Sequence, residues 1–186
     1  MSEAKAFEQD YHGEKAVWLT CGNYEAAVLP ELGANLIAFR DTKHHYRFLH
    51  EPEAEEMAAF KQRPGIYGIP ILYPPNRYED GKFPWNGEVY QFPVNEEKTG
   101  NHLHSYAHKS SWEVVDYGSG KTESFVKLQL KVKEGNEIFR YFPYKFTLQL
   151  KYTLSEHGLG QQVKIYNEDE APIPSTLAFH TAINAP

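Results

Sequence analysis

Two stretches of the chain alternate strictly between apolar and polar residues. Val126, Leu128, Leu130 and Val132 are apolar; Lys127, Gln129 and Lys131 fall between them and Lys133 follows. Phe146, Leu148, Leu150, Tyr152 and Leu154 repeat the pattern, with Thr147, Gln149, Lys151 and Thr153 in between. A period of two predicts antiparallel strands with one buried and one wet face. Val163 and Ile165 carry the alternation on to Asn167, and Trp112–Tyr117 and Thr176–His180 read as further strands. Earlier in the chain, Ala16–Thr20, Tyr24–Leu29 and Asn35–Arg40 are apolar strand candidates. Cys21-Gly22-Asn23 and Pro30 to Gly33 supply the turns between them. Residues 1–16 are polar and mixed, a leading strand or a loose terminus.

One patch, Glu51–Arg63, reads as helix. Pro52 and the acidic Glu53, Glu55 and Glu56 suit its first turn, Met57 and Phe60 lie three apart, and Pro64-Gly65 stops it. It is expected as a short connector on a sheet edge. Together these elements predict an all-β, largely antiparallel β-sandwich with one short helix. A chain of 186 residues is most simply one domain, 1–186, and no linker divides it.

Composition narrows the partners. The net charge is −6 with no long basic run, which argues against nucleic acid. No apolar run approaches the roughly 18 residues of a membrane helix, and the start has no apolar signal core. One cysteine, Cys21, allows no internal disulfide and fits a reducing compartment, so a soluble cytoplasmic protein is expected. The aromatic share is 15%, with 13 Tyr, which favours strands and suits carbohydrate contact.

The chemistry is concentrated in Asn76–Tyr90 and Asn101–Tyr106, runs too polar and too interrupted by Gly and Pro for a core element. Their Asn, Arg and His side chains offer donors and acceptors for hydroxyl groups. Trp85 and Tyr106 offer either flat faces for the C–H side of a sugar ring or simple hairpin and core packing. Arg77 has a plain structural alternative, a surface ion pair with Glu79 or Asp80.

These motifs resemble the aldose 1-epimerase (galactose mutarotase-like) family. The resemblance is carried by Asn76-Arg77, then Gly81-x-Phe83-x-x-x-Gly87-x-x-Tyr90, then Asn101-x-Leu103-His104. Leu29-Pro30-Glu31-Leu32-Gly33-Ala34, Phe142-Pro143-Tyr144, Tyr152-Thr153-Leu154, Asn167 and Phe179-His180 follow in the family's order. The resemblance implies a mutarotase-like supersandwich and an activity that interconverts the α and β anomers of a hexose, a small-molecule sugar, without cofactor or metal. It implies His180 as the general acid at the ring oxygen, with His104 as the second active-site histidine. Arg77 would bind the far hydroxyls and Asn76 would orient that loop; Tyr106 is a substrate-binding candidate from its aromatic face alone, not from the resemblance. Histidine suits proton transfer because its ordinary pKa, ~6.5, lies near working pH.

Two departures from the family pattern leave the sugar open and imply a divergent subgroup. Ser105-Tyr106 follows the first histidine where Gly-Gly is commoner, and Thr181-Ala182-Ile183 follows the second where Pro-Tyr-Phe is commoner. The family's later aspartate and its glutamate base would fall beyond Pro186. The chain is therefore expected to be an N-terminal portion of the fold, with apolar strand faces exposed or covered by a second copy in a homodimer. Without the base, it should lose roughly 10²–10⁴ in rate.

Two rival readings use the same residues. A sugar-binding module without catalysis would keep Arg77, the aromatics and the histidines. Alternatively, His102-x-His104-x-x-x-His108 has the spacing of a chelating site in a cupin-like β-barrel, because imidazoles at alternate strand positions can share one Zn²⁺ or Mn²⁺.

Overall fold

The computed structural model describes residues 3–185, so Met1, Ser2 and Pro186 lie outside the described residues. Five strands, β1 (Lys5–Tyr11), β2 (Glu14–Cys21), β3 (Tyr24–Leu29), β4 (Asn35–Asp41) and β5 (Tyr46–Arg47), form an antiparallel sheet in chain order. The stretch expected to be a leading strand or loose terminus is thus β1, paired with β2 from Lys5 opposite Thr20 to Tyr11 opposite Glu14.

This sheet is covered on both faces. Val17, Leu19, Cys21, Ala26 and Val28 belong to the main core. On the other face Trp18, Ala27, Leu29 and Ile37 pack with Met57 and Phe60 of helix α1 (Met57–Gln62). The helical patch therefore lies on the sheet's outer face, and the expected edge position is corrected. Alternate residues of β2 and β3 are apolar on both sides of the pleat, so one side would stay wet unless a helix covered it.

Then come short pieces: β6 (Ile71–Leu72), β7 (Arg77–Glu79), β8 (Lys82–Trp85), β9 (Glu88–Gln91) and β10 (Asn101–Leu103). β8 and β9 form a hairpin whose turn residues, Asn86 and Gly87, both have positive φ. That conformation matches the twist of a two-residue hairpin and suits an Asn-Gly pair.

The second sheet is β11 (Glu113–Ser119), β12 (Glu123–Val132), β13 (Phe146–Ser155) and β14 (Gly158–Asn167), again antiparallel in chain order. Its register brings the alternating apolar residues together: Val126 faces Tyr152, Leu128 faces Leu150, Leu130 faces Leu148 and Val132 faces Phe146. These side chains are buried against β2 and β3 and form the sandwich core. Truncating one of them, such as Leu148, to Ala should cost about 2–5 kcal/mol. A second helix, α2 (Glu137–Tyr141), interrupts the β12–β13 connection. Its Asn136 cap accepts the Ile138 N–H at 2.8 Å.

Among the described residues β14 is an edge strand. Its Leu159, Val163 and Ile165 are only half-buried, and Tyr166 is exposed. The last strand, β15 (Ala178–Phe179), leaves this sheet and pairs with β6. No described helix is long and apolar enough to cross a membrane.

Candidate functional site

Two short strand pairings and one isolated bridge assemble the site. β7 and β10 pair so that Arg77 lies opposite Leu103 and Tyr78 opposite His102. One step further, the His104 N–H donates to the Asn76 carbonyl at 2.9 Å. Asn76, His104 and Ser105 all have left-handed φ, +72°, +66° and +49°. Such backbone is uncommon outside glycine and turns a side chain out of the strand's regular alternation. Ser105 also bridges to Tyr73, just after β6. β6 carries β15 alongside it, and the His180 N–H closes that pairing on the Pro70 carbonyl at 3.1 Å.

The outcome is that His104 and His180 meet. Their ring centroids lie 5.8 Å apart, at 65° to one another. Both border a cleft of about 590 Å³ whose rim also carries Asn76 and Arg77, a volume within the roughly 300–1,000 Å³ of small-molecule sites. His104 is half-buried and His180 exposed. The His104 Nδ1 is buried with no partner among the described residues, which leaves Nε2 as the ring nitrogen able to meet a ligand. Burial, then the neighbouring His180 and Arg77, push the His104 pKa down, so its imidazole favours the neutral form.

Arg77 is paired, though with neither acid expected. Its Nε and Nη2 grip the two oxygens of Glu96 at 2.7 and 2.8 Å. Thr99 Oγ1 donates to the same carboxylate at 2.6 Å. These bonds, the arginine's first, pull the Glu96 carboxyl down to about 2. Beside it Asn95 stands in for a strand rung: its amide donates to the Leu103 carbonyl at 3.1 Å and its oxygen accepts the Leu103 N–H at 2.6 Å. Sequence reading missed both: Glu96 lies 19 residues and a hairpin beyond the Arg77 it binds, and Asn95 lies eight residues before Leu103. Only the run of turn residues around Gly100 hinted at a returning loop.

Tyr106, expected at the substrate, is not among the residues that border the cleft. Its ring stacks on Tyr141 at 5.8 Å and 22°, and packs near His102 at 5.5 Å. Trp85 is likewise a packing residue, its Nε1–H donating to the Pro172 carbonyl at 3.0 Å. The chelating triad does not assemble either. His102 is fully buried between Tyr78 and Phe92, and its Nδ1–H donates to the Pro93 carbonyl at 2.6 Å. His104 leaves the strand with positive φ, so the two do not share a face as a regular strand would require. Among the described residues no three His, Cys, Asp or Glu side chains gather as a metal site.

His108 is the remaining histidine of the cleft. It sits edge-on to His104 with centroids 6.2 Å apart, is 5% exposed, and has an unpartnered buried Nδ1. Burial above all, then Lys109 and the other histidines, push its pKa down to about 3. It is a neutral wall of the cleft.

Comparison with known proteins shows the family and the fold. A family model described as aldose 1-epimerase matches residues 15–186. A galactose mutarotase-like protein from Clostridium acetobutylicum is 31% identical and superposes with a TM-score of 0.92 over 98% of this chain and 54% of its own. A galactose 1-epimerase from Lactobacillus acidophilus shares the fold at a TM-score of 0.68 and 18% identity, over 90% of this chain and 49% of its own. An uncharacterised Escherichia coli protein, YihR, is 24% identical over 168 residues, 89% of this chain and 49% of that protein. The chain thus spans about half the length of the relatives it matches.

Proposed function

The chain belongs to the aldose 1-epimerase family, and from that premise we propose that the His104–His180 cleft binds the reducing end of a hexose and helps interconvert its anomers. The observation that carries this reading is the meeting of two imidazoles, 5.8 Å apart, at the mouth of a polar cleft.

In the proposed reaction, His180 gives a proton to the ring oxygen while a base takes the proton of the anomeric hydroxyl. The C1–ring oxygen bond breaks and C1 becomes a carbonyl carbon. Rotation about C1–C2 and the reverse transfers then close the other anomer. His104, kept neutral, accepts or donates a hydrogen bond beside the same oxygen without competing for charge. Arg77, fixed by Glu96, offers its remaining N–H groups to hydroxyls on the far side.

The base is not Glu96. It is the one carboxylate among the described residues on the cleft wall, and at about 2 its pKa makes it too weak a base near neutrality. The reading therefore calls for a carboxylate from outside the described residues, either further chain or a second copy seated on the open β14 edge.

Imidazole NMR of the full-length protein tests the site. Titration with a panel of reducing aldoses, plain and substituted, should move the His104 and His180 ring signals together while His102 stays still. Signals that ignore every aldose would remove the sugar reading, and saturable shifts with no rate enhancement would favour the sugar-binding module.

A further inference from the structure

The cleft carries more positive charge than anomer exchange of a neutral sugar uses. Three cations stand on its wall, Arg63, Arg77 and Lys109, against Glu96 alone among the described carboxylates. Glu96 is taken up by Arg77. Arg63 and Lys109 have no ion pair among the described residues. Lys61, two residues before Arg63, is by contrast paired with Glu14. A general basic bias does not explain the pattern, since the chain as a whole carries −6.

The two free cations are presented from fixed backbone. Arg63 ends α1, where its N–H bonds to the Ala59 and Phe60 carbonyls, and it leads into the turn Pro64–Ile66. Lys109 ends the turn Ala107–Lys109, with its N–H on the Tyr106 carbonyl at 3.0 Å. The two turns adjoin, and both side chains are exposed. Between Lys109 and His104 stands His108, whose buried Nδ1 has no protein partner. Uncompensated cations beside a polar wall raise the local concentration of anions. A guanidinium fork with an ammonium point charge is a recurrent way to hold an oxyanion.

We infer that the cleft takes an anionic hexose, with the reducing end at His104 and His180 and a phosphate or carboxylate substituent held by Arg63 and Lys109. This rests on the sugar site proposed above and names its substrate class.

The test is calorimetric binding of glucose, glucose 6-phosphate, glucuronate and inorganic phosphate to the full-length protein, at low and at high salt. The preferred anionic sugar should bind roughly a hundredfold tighter than glucose, about tenfold for each cation engaged. Which of the two sugars gains identifies the substituent. The advantage should shrink as salt rises. In the double variant Arg63→Gln/Lys109→Gln the anionic-to-neutral ratio should fall towards one, and both sites are exposed, so the melting temperature should hold. Glucose binding as tightly as both anionic sugars overturns the inference and leaves the sugar site standing. Inorganic phosphate matching glucose 6-phosphate overturns it too, because the sugar then contributes nothing. A ratio that survives in the double variant overturns the assignment to Arg63 and Lys109. Failure of every sugar to bind overturns this inference together with the reading beneath it.

Discussion

The backbone of Gly33 lies directly against that of His108. A Cβ built on Gly33 would sit 2.1 Å from the His108 carbonyl oxygen, and the Gly33 N–H donates to the Ser110 carbonyl at 2.9 Å. An early turn of the first sheet thus clamps the segment that carries the cleft's buried histidine. Gly33 has φ +77°, a conformation that disfavours any side chain. Gly33→Ala combines that strain with a backbone clash, so a loss of at least about 1–3 kcal/mol is expected. Chemical denaturation checks it, and a variant as stable as the parent would show that the contact is looser than described.

His108 gives the protein an acid-sensitive wall. Its folded pKa, near 3, lies below the ordinary value of 6.5. Between those values the unfolded chain takes up a proton that the folded chain refuses. Stability from this group is therefore complete above about pH 6.5 and declines as pH falls towards 3, with a slope approaching ~1.4 kcal/mol per pH unit. His108→Gln should flatten this part of the stability–pH curve, as read from urea midpoints between pH 7 and 4. An unchanged slope would contradict the burial of a neutral imidazole.

The Arg77–Glu96 pair should announce itself by titration. Glu96 folded titrates near 2, below its ordinary 4.5. Its stabilising contribution is present above 4.5 and is lost as pH falls towards 2. Arg77→Gln should raise the Glu96 carboxyl towards the ordinary carboxylate range, short of it because Thr99 still donates, visible as a moved side-chain carboxyl titration in NMR. It should also weaken hexose binding. The change in fold stability should be small, because both side chains reach solvent. A Glu96 titration that does not move would mean that other donors hold it.

Tyr106 separates packing from binding. Tyr106→Phe keeps the stack on Tyr141 and should leave sugar affinity unaltered. Tyr106→Ala should lose about 0.5–1.5 kcal/mol of ring–ring contact beyond the lost burial. If Tyr106→Phe lowers affinity and not stability, the hydroxyl reaches the ligand after all.

The parts of the fold written in local pattern were the legible ones. β12 and β13 alternate because one face of each meets the other sheet, and the register pairs those same residues. The Asn76, Arg77, His104 and His180 motifs could be read, and all four border one cleft. What sequence spacing could not carry was set by tertiary contact. Met57 and Phe60 mark an apolar stripe, yet nothing local says that it covers a sheet face rather than an edge. Arg77 was matched with acids a few residues away, whereas the loop return brings Glu96 from 19 residues on. Period two placed His102 and His104 on one face, and left-handed backbone at His104 parts them. α2 spans five residues, too few for a helical period to show.

The central claim is that an imidazole at position 180 transfers a proton to a sugar ring oxygen. Polarimetry of a freshly dissolved single anomer with the full-length protein at neutral pH tests it most directly, using an aldose shown to occupy the cleft. The account predicts equilibration faster than the spontaneous rate, and a roughly 10²–10⁴-fold loss for His180→Asn at unchanged melting temperature. A wild-type rate equal to the spontaneous one, or a His180→Asn protein as fast as the parent, would contradict it.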